Sequence, residues 1–418
     1  MAQTSGGPNT PALASGQRPA AIPSAALTPE NTVGGGITVG ANYDDNVIPN
    51  AQPRQWDVRY SVVPEITLQE TRPRVEWSVS YSPGLETSQE LRYRNLFSQK
   101  FSGRLVWRTS PHGSLSAEEY YLVSMNPFAG FKTNPGPTIS PNESVFIPNV
   151  RQKMTLSHLL YSYQSSAQVT MGIGGSFELQ KFDSTPKSGP TTALVHAQIV
   201  SGQAFIARQM TPRNQLGLQY DPRVMKFPKA NARTTTHTFL VFDQMDLSRR
   251  THLTLYGGPE YALTSNQVEV NLGFVIITIP VKANTWNGAG GVMYSWTGDH
   301  IAATVDFTRG ISDGGGLVGA VELTSGTARL SWQFTRSWSL ESSISGADDQ
   351  LVAVKNAANE LRIYSGELGL HRRLWRDTGF KVFYQRLNQT GSINNFSIGN
   401  RDIIGVALDY TFLKPLGG

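Results

Sequence analysis

The sequence predicts an all-β fold, a single closed antiparallel barrel whose strands cross a membrane. Three observations carry the prediction: apolar and polar residues alternate along most of the chain, charge is scarce, and short polar turns take turns with long irregular loops. Each has a physical reading.

Alternation with a period of two means extended strands whose faces meet different surroundings. Val58, Tyr60 and Val62 alternate with Asp57, Arg59 and Ser61, and Trp56 opens the series. Val75, Trp77, Val79 and Tyr81 alternate with Arg74, Glu76, Ser78 and Ser80. The pattern returns in Val169 to Leu179, in Ile301 to Thr308 and in Ile404 to Phe412. The polar partners are small or charged, as the wall of a water-filled lumen requires. The stretches around Tyr120 and Phe239 fit poorly, and strands are placed there by spacing.

Charged residues make up 16% of the 418 residues, against roughly 25% in soluble domains. Something other than water therefore covers part of the surface. No stretch approaches the ~20 consecutive apolar residues of a spanning helix; the longest apolar run is Gly273 to Pro280. A spanning strand needs only about ten residues, half of them apolar. Cysteine is absent, which excludes disulfides, thiolate metal sites and a cysteine nucleophile. The net charge of +5 is small and its basic residues are scattered, so nucleic acid is not an expected partner.

Short turns such as Thr71-Arg72-Pro73, Thr211-Pro212-Arg213-Asn214 and Thr297-Gly298-Asp299 alternate with longer loops, and this is the two-rimmed rhythm of a membrane barrel. Following it yields about eighteen strands, within a range of about 14–18, an even number that brings both ends to the short-turn rim. The barrel is expected over residues 36–413, after a Pro-, Gly- and Ser-rich leader at 1–35 and before a tail at 414–418. Met1-Ala2-Gln3-Thr4-Ser5 reads as the start of a chain whose signal peptide has been removed. Val268 to Ile279 is strand-like where a loop belongs; it either lengthens a hairpin or folds inward.

Trp56, Trp77, Trp107, Trp296, Trp332 and Trp338 fall on the apolar face, and Trp107, Trp296, Trp332 and Trp338 lie close to short turns, as an aromatic girdle at headgroup level requires. The opposite face projects Asp57, Arg59, Glu65, Arg74, Glu76, Arg104 and Arg108 inward. Further along the chain it adds Glu178, Asp306, Arg329, Glu341, Glu367, Lys381 and Asp409. Acids and bases nearly balance there, which predicts a weakly selective aqueous passage. Arg59, Arg74, Arg104 and Arg108 fall on neighbouring strands, where they form either a basic stripe or pairs with adjacent acids.

A search for catalysis finds little. His112, His252 and His300 sit in or beside turns; His196 and His371 are expected to face the lumen without a serine or acid at diagnostic spacing. Gly172-Ile173-Gly174-Gly175 lies in a strand, so it is no phosphate loop, and its glycines relieve crowding. Asp44-Asp45-Asn46 and Asp348-Asp349 have carboxylates that suit calcium, although solvated turns explain them better. No catalytic, cofactor or metal residues are assigned, and the chain is not expected to be an enzyme.

The segment Ile404 to Phe412 resembles the closing strand of Gram-negative outer-membrane proteins, in which a terminal aromatic is read by the barrel-assembly machinery. That resemblance points to Tyr410 and Phe412 as an assembly signal, although six residues, Leu413 to Gly418, follow. The stretch Val39 to Asn46 resembles the first hairpin of porin-like barrels, some encoded with exopolysaccharide export systems. The resemblance implies an outer-membrane location, lipid as a partner and a passive channel for small hydrophilic solutes. Its alternatives are a non-enzymatic part of an envelope export system, with the leader as a docking arm, and a barrel enzyme. Self-association into a homo-oligomer stays open.

Overall fold

In a computed structural model, the described residues are 31–47, 53–90, 96–124, 151–183, 194–271, 276–317, 319–352, 360–391 and 398–415. The first nine strands are β1 (Thr32–Asp44), β2 (Asp57–Thr71), β3 (Val75–Ser88), β4 (Leu96–Arg108), β5 (Gly113–Ser124), β6 (Arg151–Gln164), β7 (Val169–Asp183), β8 (Ala197–Thr211) and β9 (Asn214–Phe227). The rest are β10 (Ala232–Ser248), β11 (Thr251–Asn271), β12 (Ile276–Thr297), β13 (Ile301–Ser312), β14 (Val321–Gln333), β15 (Trp338–Leu351), β16 (Glu360–Arg373), β17 (Thr378–Gly391) and β18 (Ile398–Pro415). Each pairs antiparallel with the next, and β1 pairs with β18 from Thr32↔Pro415 to Asp44↔Ile403. One 18-stranded sheet thus closes on itself. Closure leaves no sheet edge with unpaired backbone, the condition for placing strands in hydrocarbon.

The strand count and parity agree with the expectation from the sequence. The limits differ slightly. Gly34-Gly35-Gly36, expected at the end of the leader, lies inside β1, and β18 continues past Phe412 to Pro415. The remainder of the expected leader and tail, residues 1–30 and 416–418, lies outside the described residues. The strand expected near residue 317 begins at Val321.

The outward face is the apolar one. Ile173, Phe177, Val305 and Leu408 are all exposed, with Trp107, Trp332, Trp375 and Tyr410 at the short-turn end. The guanidinium of Arg372 lies 5.1 Å from the Trp338 ring, a cation over an indole at the same rim. Because facing alternates, a slip of one residue would invert a strand's whole set. A spin label at Val305 should therefore report lipid and one at Asp306 water, and the native chain has no cysteine to interfere. The reverse pattern would refute the register of β13.

The described part of Val268 to Ile279, residues 268–271 and 276–279, lengthens a hairpin. β11 pairs with β12 continuously from Thr251↔Trp296 to Asn271↔Ile276, whereas β10 reaches only to Ser265 and β13 only to Gly290. The end of this ribbon stands beyond both neighbours.

A different segment folds into the lumen. Residues 313–317 and 319–320 leave the tip of the β13–β14 hairpin through Gly314, Gly315, Gly316 and Gly319, all with positive φ, where a side chain would be strained. With Ile311 they lie against inward side chains of β7 to β11. The Gly316 carbonyl accepts the Val195 N–H at 2.9 Å. Leu317 packs into a buried cluster with Phe182, Leu194, Leu323, Leu361, Ile363 and Leu387, tying β7 to β14 through β17. Ile311 and Ala320 join Ile199, Met225, Phe227 and Ala262 in a second cluster.

Here the expectation of a uniformly small and charged inner face needs correction. The inner wall from β6 to β12 carries Leu160, Phe205, Leu240, Phe242, Tyr256 and Met293, all buried. Tyr120, Leu122 and Met154 form another inward apolar group, which explains why the stretch around Tyr120 fitted the alternation poorly. An inward side chain need not be polar once neighbouring side chains or a folded-in segment remove it from water.

Candidate functional site: the charged inner wall

Away from these apolar clusters, the inner face from β15 through β18 to β5 carries opposed charges. Lys381 of β17 lies 2.8 Å from Glu341 of β15 and 3.8 Å from Glu367 of β16. Spanning two strands requires a side chain to cross the one between. Gly369 of β16 makes room, since a Cβ there would stand 2.8 Å from the Lys381 Cε. The same device recurs one strand on. His371 of β16 lies 3.5 Å from Asp409 of β18, and the position between them on β17 is Gly379, where a Cβ would stand 2.7 Å from the Asp409 carboxylate. Glycines on this wall are crossing points for ion pairs. Replacing Gly369 with valine should separate Lys381 from Glu341 while the barrel still closes. The check is a double-mutant cycle of Lys381→Gln and Glu341→Gln on unfolding stability, in the wild type and in the Gly369→Val background, and an unchanged coupling between the two would refute the crossing role.

Arg104 of β4 faces Glu118 of β5 in direct register, at 3.7 Å. Glu65 accepts a hydrogen bond from the Ser80 hydroxyl at 3.1 Å. Glu76, Glu178, Asp306 and Arg329 stand on the face opposite the lipid-facing rows of their strands, with Asp306 and Arg329 on paired strands β13 and β14.

The four arginines do not make one stripe. Arg59 sits at the long-loop end of β2, 3.3 Å from Asp44. Arg74 lies in the turn between β2 and β3, exposed at the opposite rim, and Arg108 ends β4 at that rim, donating its N–H to the Arg74 carbonyl at 2.8 Å. They occupy neighbouring strands but different heights, a distance that strand order alone conceals.

Asp44 ends β1 buried, accepting from Nε and Nη2 of Arg401 on β18 and pairing with Arg59. Asp45 accepts the N–H of Asp402 at 2.7 Å. These carboxylates close the β18–β1–β2 seam, a role that neither of the two sequence readings, calcium or solvated turn, anticipated. Asp348 lies within β15, 4.0 Å from Arg362. Among the described residues no group of three or more His, Asp or Glu is placed to hold a metal.

Several histidines have structural partners. His158 meets the Gln203 amide at 3.0 Å, His237 the Tyr220 hydroxyl at 2.7 Å and His252 the Asp246 carboxylate at 2.5 Å. His196 Nδ1 accepts the Phe182 N–H at 3.2 Å, which needs that nitrogen unprotonated. Burial and then the nearby Lys229 and Lys181 hold its pKa below the ordinary histidine value. In the inward segment, burial pushes the Asp313 carboxyl above its usual range, against the Gly315 N–H, the Ser312 hydroxyl and Arg223.

Sequence reasoning missed residues 313–320 and their apolar seat. Four glycines within six residues, with Leu317 among them and Ile311 and Val321 on either side, were the available signal. Tyr410 and Phe412 face outward with ring centroids 6.5 Å apart, three residues or more before the end of β18.

No family model and no curated protein matches this chain. Among solved structures it is similar to OpdO of Pseudomonas aeruginosa, with 14% identity over 92% of this chain and 97% of that chain and a TM-score of 0.45. It is similar to OccAB4 of Acinetobacter baumannii, at 10% identity over 92% and 98% of the two chains with a TM-score of 0.45. A BenF-like porin from Pseudomonas fluorescens Pf-5 is similar at 10% identity, 92% and 99% coverage and a TM-score of 0.42.

Proposed function

We propose that this chain is a passive channel of the bacterial outer membrane for small hydrophilic solutes. The observation that carries the reading is water access inside a closed, lipid-belted barrel. The inward side chains of Glu341 and Arg104 are 56% and 36% exposed although their strands' apolar faces point outward. The passage runs along β15 to β18 and β1 to β5, where acids and bases face each other, and the apolar inner wall with residues 313–320 narrows it from the other side. Arg59, Glu76, Arg104, Arg108, Glu341, Glu367, Lys381 and Asp409 line it on these strands, with Arg74 at its mouth, and Glu178, Asp306 and Arg329 face it from β7, β13 and β14. Paired charges hold an ordered hydration layer without a net local sign, which favours neutral polar solutes over either ion. Tyr410 and Phe412 serve the assembly machinery, and no step in this reading requires catalysis.

The test is single-channel conductance in a planar bilayer, followed by the reversal potential in a salt gradient. The expected result is an open channel with a reversal potential near zero. Arg104→Gln with Arg108→Gln should move it modestly towards cations, because Arg104 already faces Glu118. Strong anion selectivity in the wild type would refute the paired-charge wall. An absence of conductance would favour the second reading, an export component closed by its own inward segment, for which the lumen-crossing Leu317 cluster speaks.

A further inference from the structure

Outside the barrel, at the long-loop end of β8 to β12, the register assembles a lateral row that the channel reading leaves unused. Gln198 pairs with Lys226, Lys226 with Arg233, Arg233 with Ser265 and Ser265 with Lys282. These residues belong to five adjacent strands and share one level and one face. Lys226, Arg233 and Lys282 are all exposed; the inward neighbours Met225, Phe227 and Ala232 are buried, which fixes Lys226 and Arg233 outward, and Lys282 shares the outward parity of the exposed Trp286 on β12.

Like charges directly opposite across a sheet repel, and Lys226 stands directly opposite Arg233. Among the described residues no acid faces outward from these strands at this level: the nearby Asp221 and Glu260 are buried on the inner side. Among the described residues the row therefore has no protein counter-charge at its own level, and it calls for an external anion. With strands about 4.8 Å apart, Lys226 and Lys282 are spread over about 14 Å, wide enough for a headgroup with more than one anionic centre.

The next outward row towards the short turns supplies the other half of an amphipathic site. Val200 pairs with Val224, Val224 with Thr235 and Thr235 with Leu263. Below them Trp286 is exposed, its ring centroid 4.8 Å from that of Tyr261. Exposed aliphatic groups directly beneath a cationic row, with an indole at the border, mark the boundary between hydrocarbon and headgroup.

We propose that Lys226, Arg233 and Lys282, with Gln198 and Ser265 between them as hydrogen-bonding groups, bind the phosphorylated headgroup of an acylated lipid in the long-loop-side leaflet, whose chains lie over Val200, Val224 and Leu263. The site rests on the outer-membrane reading above. It predicts that the barrel carries a fixed ring segment of anionic lipid on one side.

The experiment is native mass spectrometry of the full chain in mild detergent, titrated with a diphosphorylated, acylated glucosamine disaccharide. Wild type should bind it, and Lys226→Gln with Arg233→Gln and Lys282→Gln should bind about a hundredfold more weakly. The same lipid stripped of its phosphates should bind the wild type as weakly as the triple variant binds the intact one. Inorganic phosphate should not displace the lipid. Equal binding by the triple variant, equal binding of the phosphate-free lipid, or displacement by phosphate alone would each overturn the proposal. Because these side chains lie outside the lumen, conductance in a neutral-lipid bilayer should be the same in wild type and variant. Lipid binding without conductance would refute only the channel, and conductance without phosphate-dependent binding would refute only this site.

Discussion

Replacing residues 313–320 with a two-residue Asn-Gly turn is expected to raise single-channel conductance several-fold. Ser312 and Val321 are the last paired residues of β13 and β14, so a two-residue turn closes the hairpin in its existing register. What disappears is the crossing itself: the Val195–Gly316 hydrogen bond and the Leu317 side chain, which is fully buried among Phe182, Leu194, Leu361 and Ile363. The strands keep their pairing, since the ladder does not depend on the inserted residues. The exposed apolar wall that remains lowers stability, and the gel mobility of the unheated, folded barrel checks that closure survives. A folded variant with unchanged conductance would show that solute does not pass this segment.

The second large effect is expected at the closing seam. Arg401→Gln should destabilise the barrel by about 3 kcal/mol, the lower end of the cost of stranding a buried charge. Asp44 is fully buried and Arg401 nearly so, and Arg401 supplies a two-pronged contact to that carboxylate. Arg59 at 3.3 Å keeps part of the compensation, which is why the lower end applies. Adding Asp44→Asn to Arg401→Gln should cost less than the sum of the two single changes, because the stranded charge is then gone. Urea unfolding of the protein in lipid vesicles measures all three. Additive losses would mean that the pair contributes nothing beyond its separate residues.

The fold was legible because its signal is local and repeated. Facing in a strand depends on the parity of position alone, so Val305 and Asp306, or Leu408 and Asp409, declare their sides without knowledge of any partner. Turns such as Thr297-Gly298-Asp299 mark strand ends by their own conformational preferences. The inner wall was legible as a set of inward charges but not as an arrangement. Arg59 and Arg108 occupy nearby strands in any listing by order, yet they lie at opposite rims because one begins its strand and the other ends it.

By itself the sequence determined the all-β class, a closed sheet with an even number of strands, about eighteen, and the side on which most residues face, whereas the count of 18 is read from the strand pairing. These follow from backbone pairing and period-two burial, which neighbours in the chain encode. Only the tertiary structure decided that Asp44 meets Arg401, 357 positions away, that Gly369 and Gly379 are crossing points for ion pairs, and that residues 313–320 enter the lumen. Each depends on which side chains face one another across a closed cylinder. That geometry is set by register and closure summed around the whole barrel, and no single strand contains it.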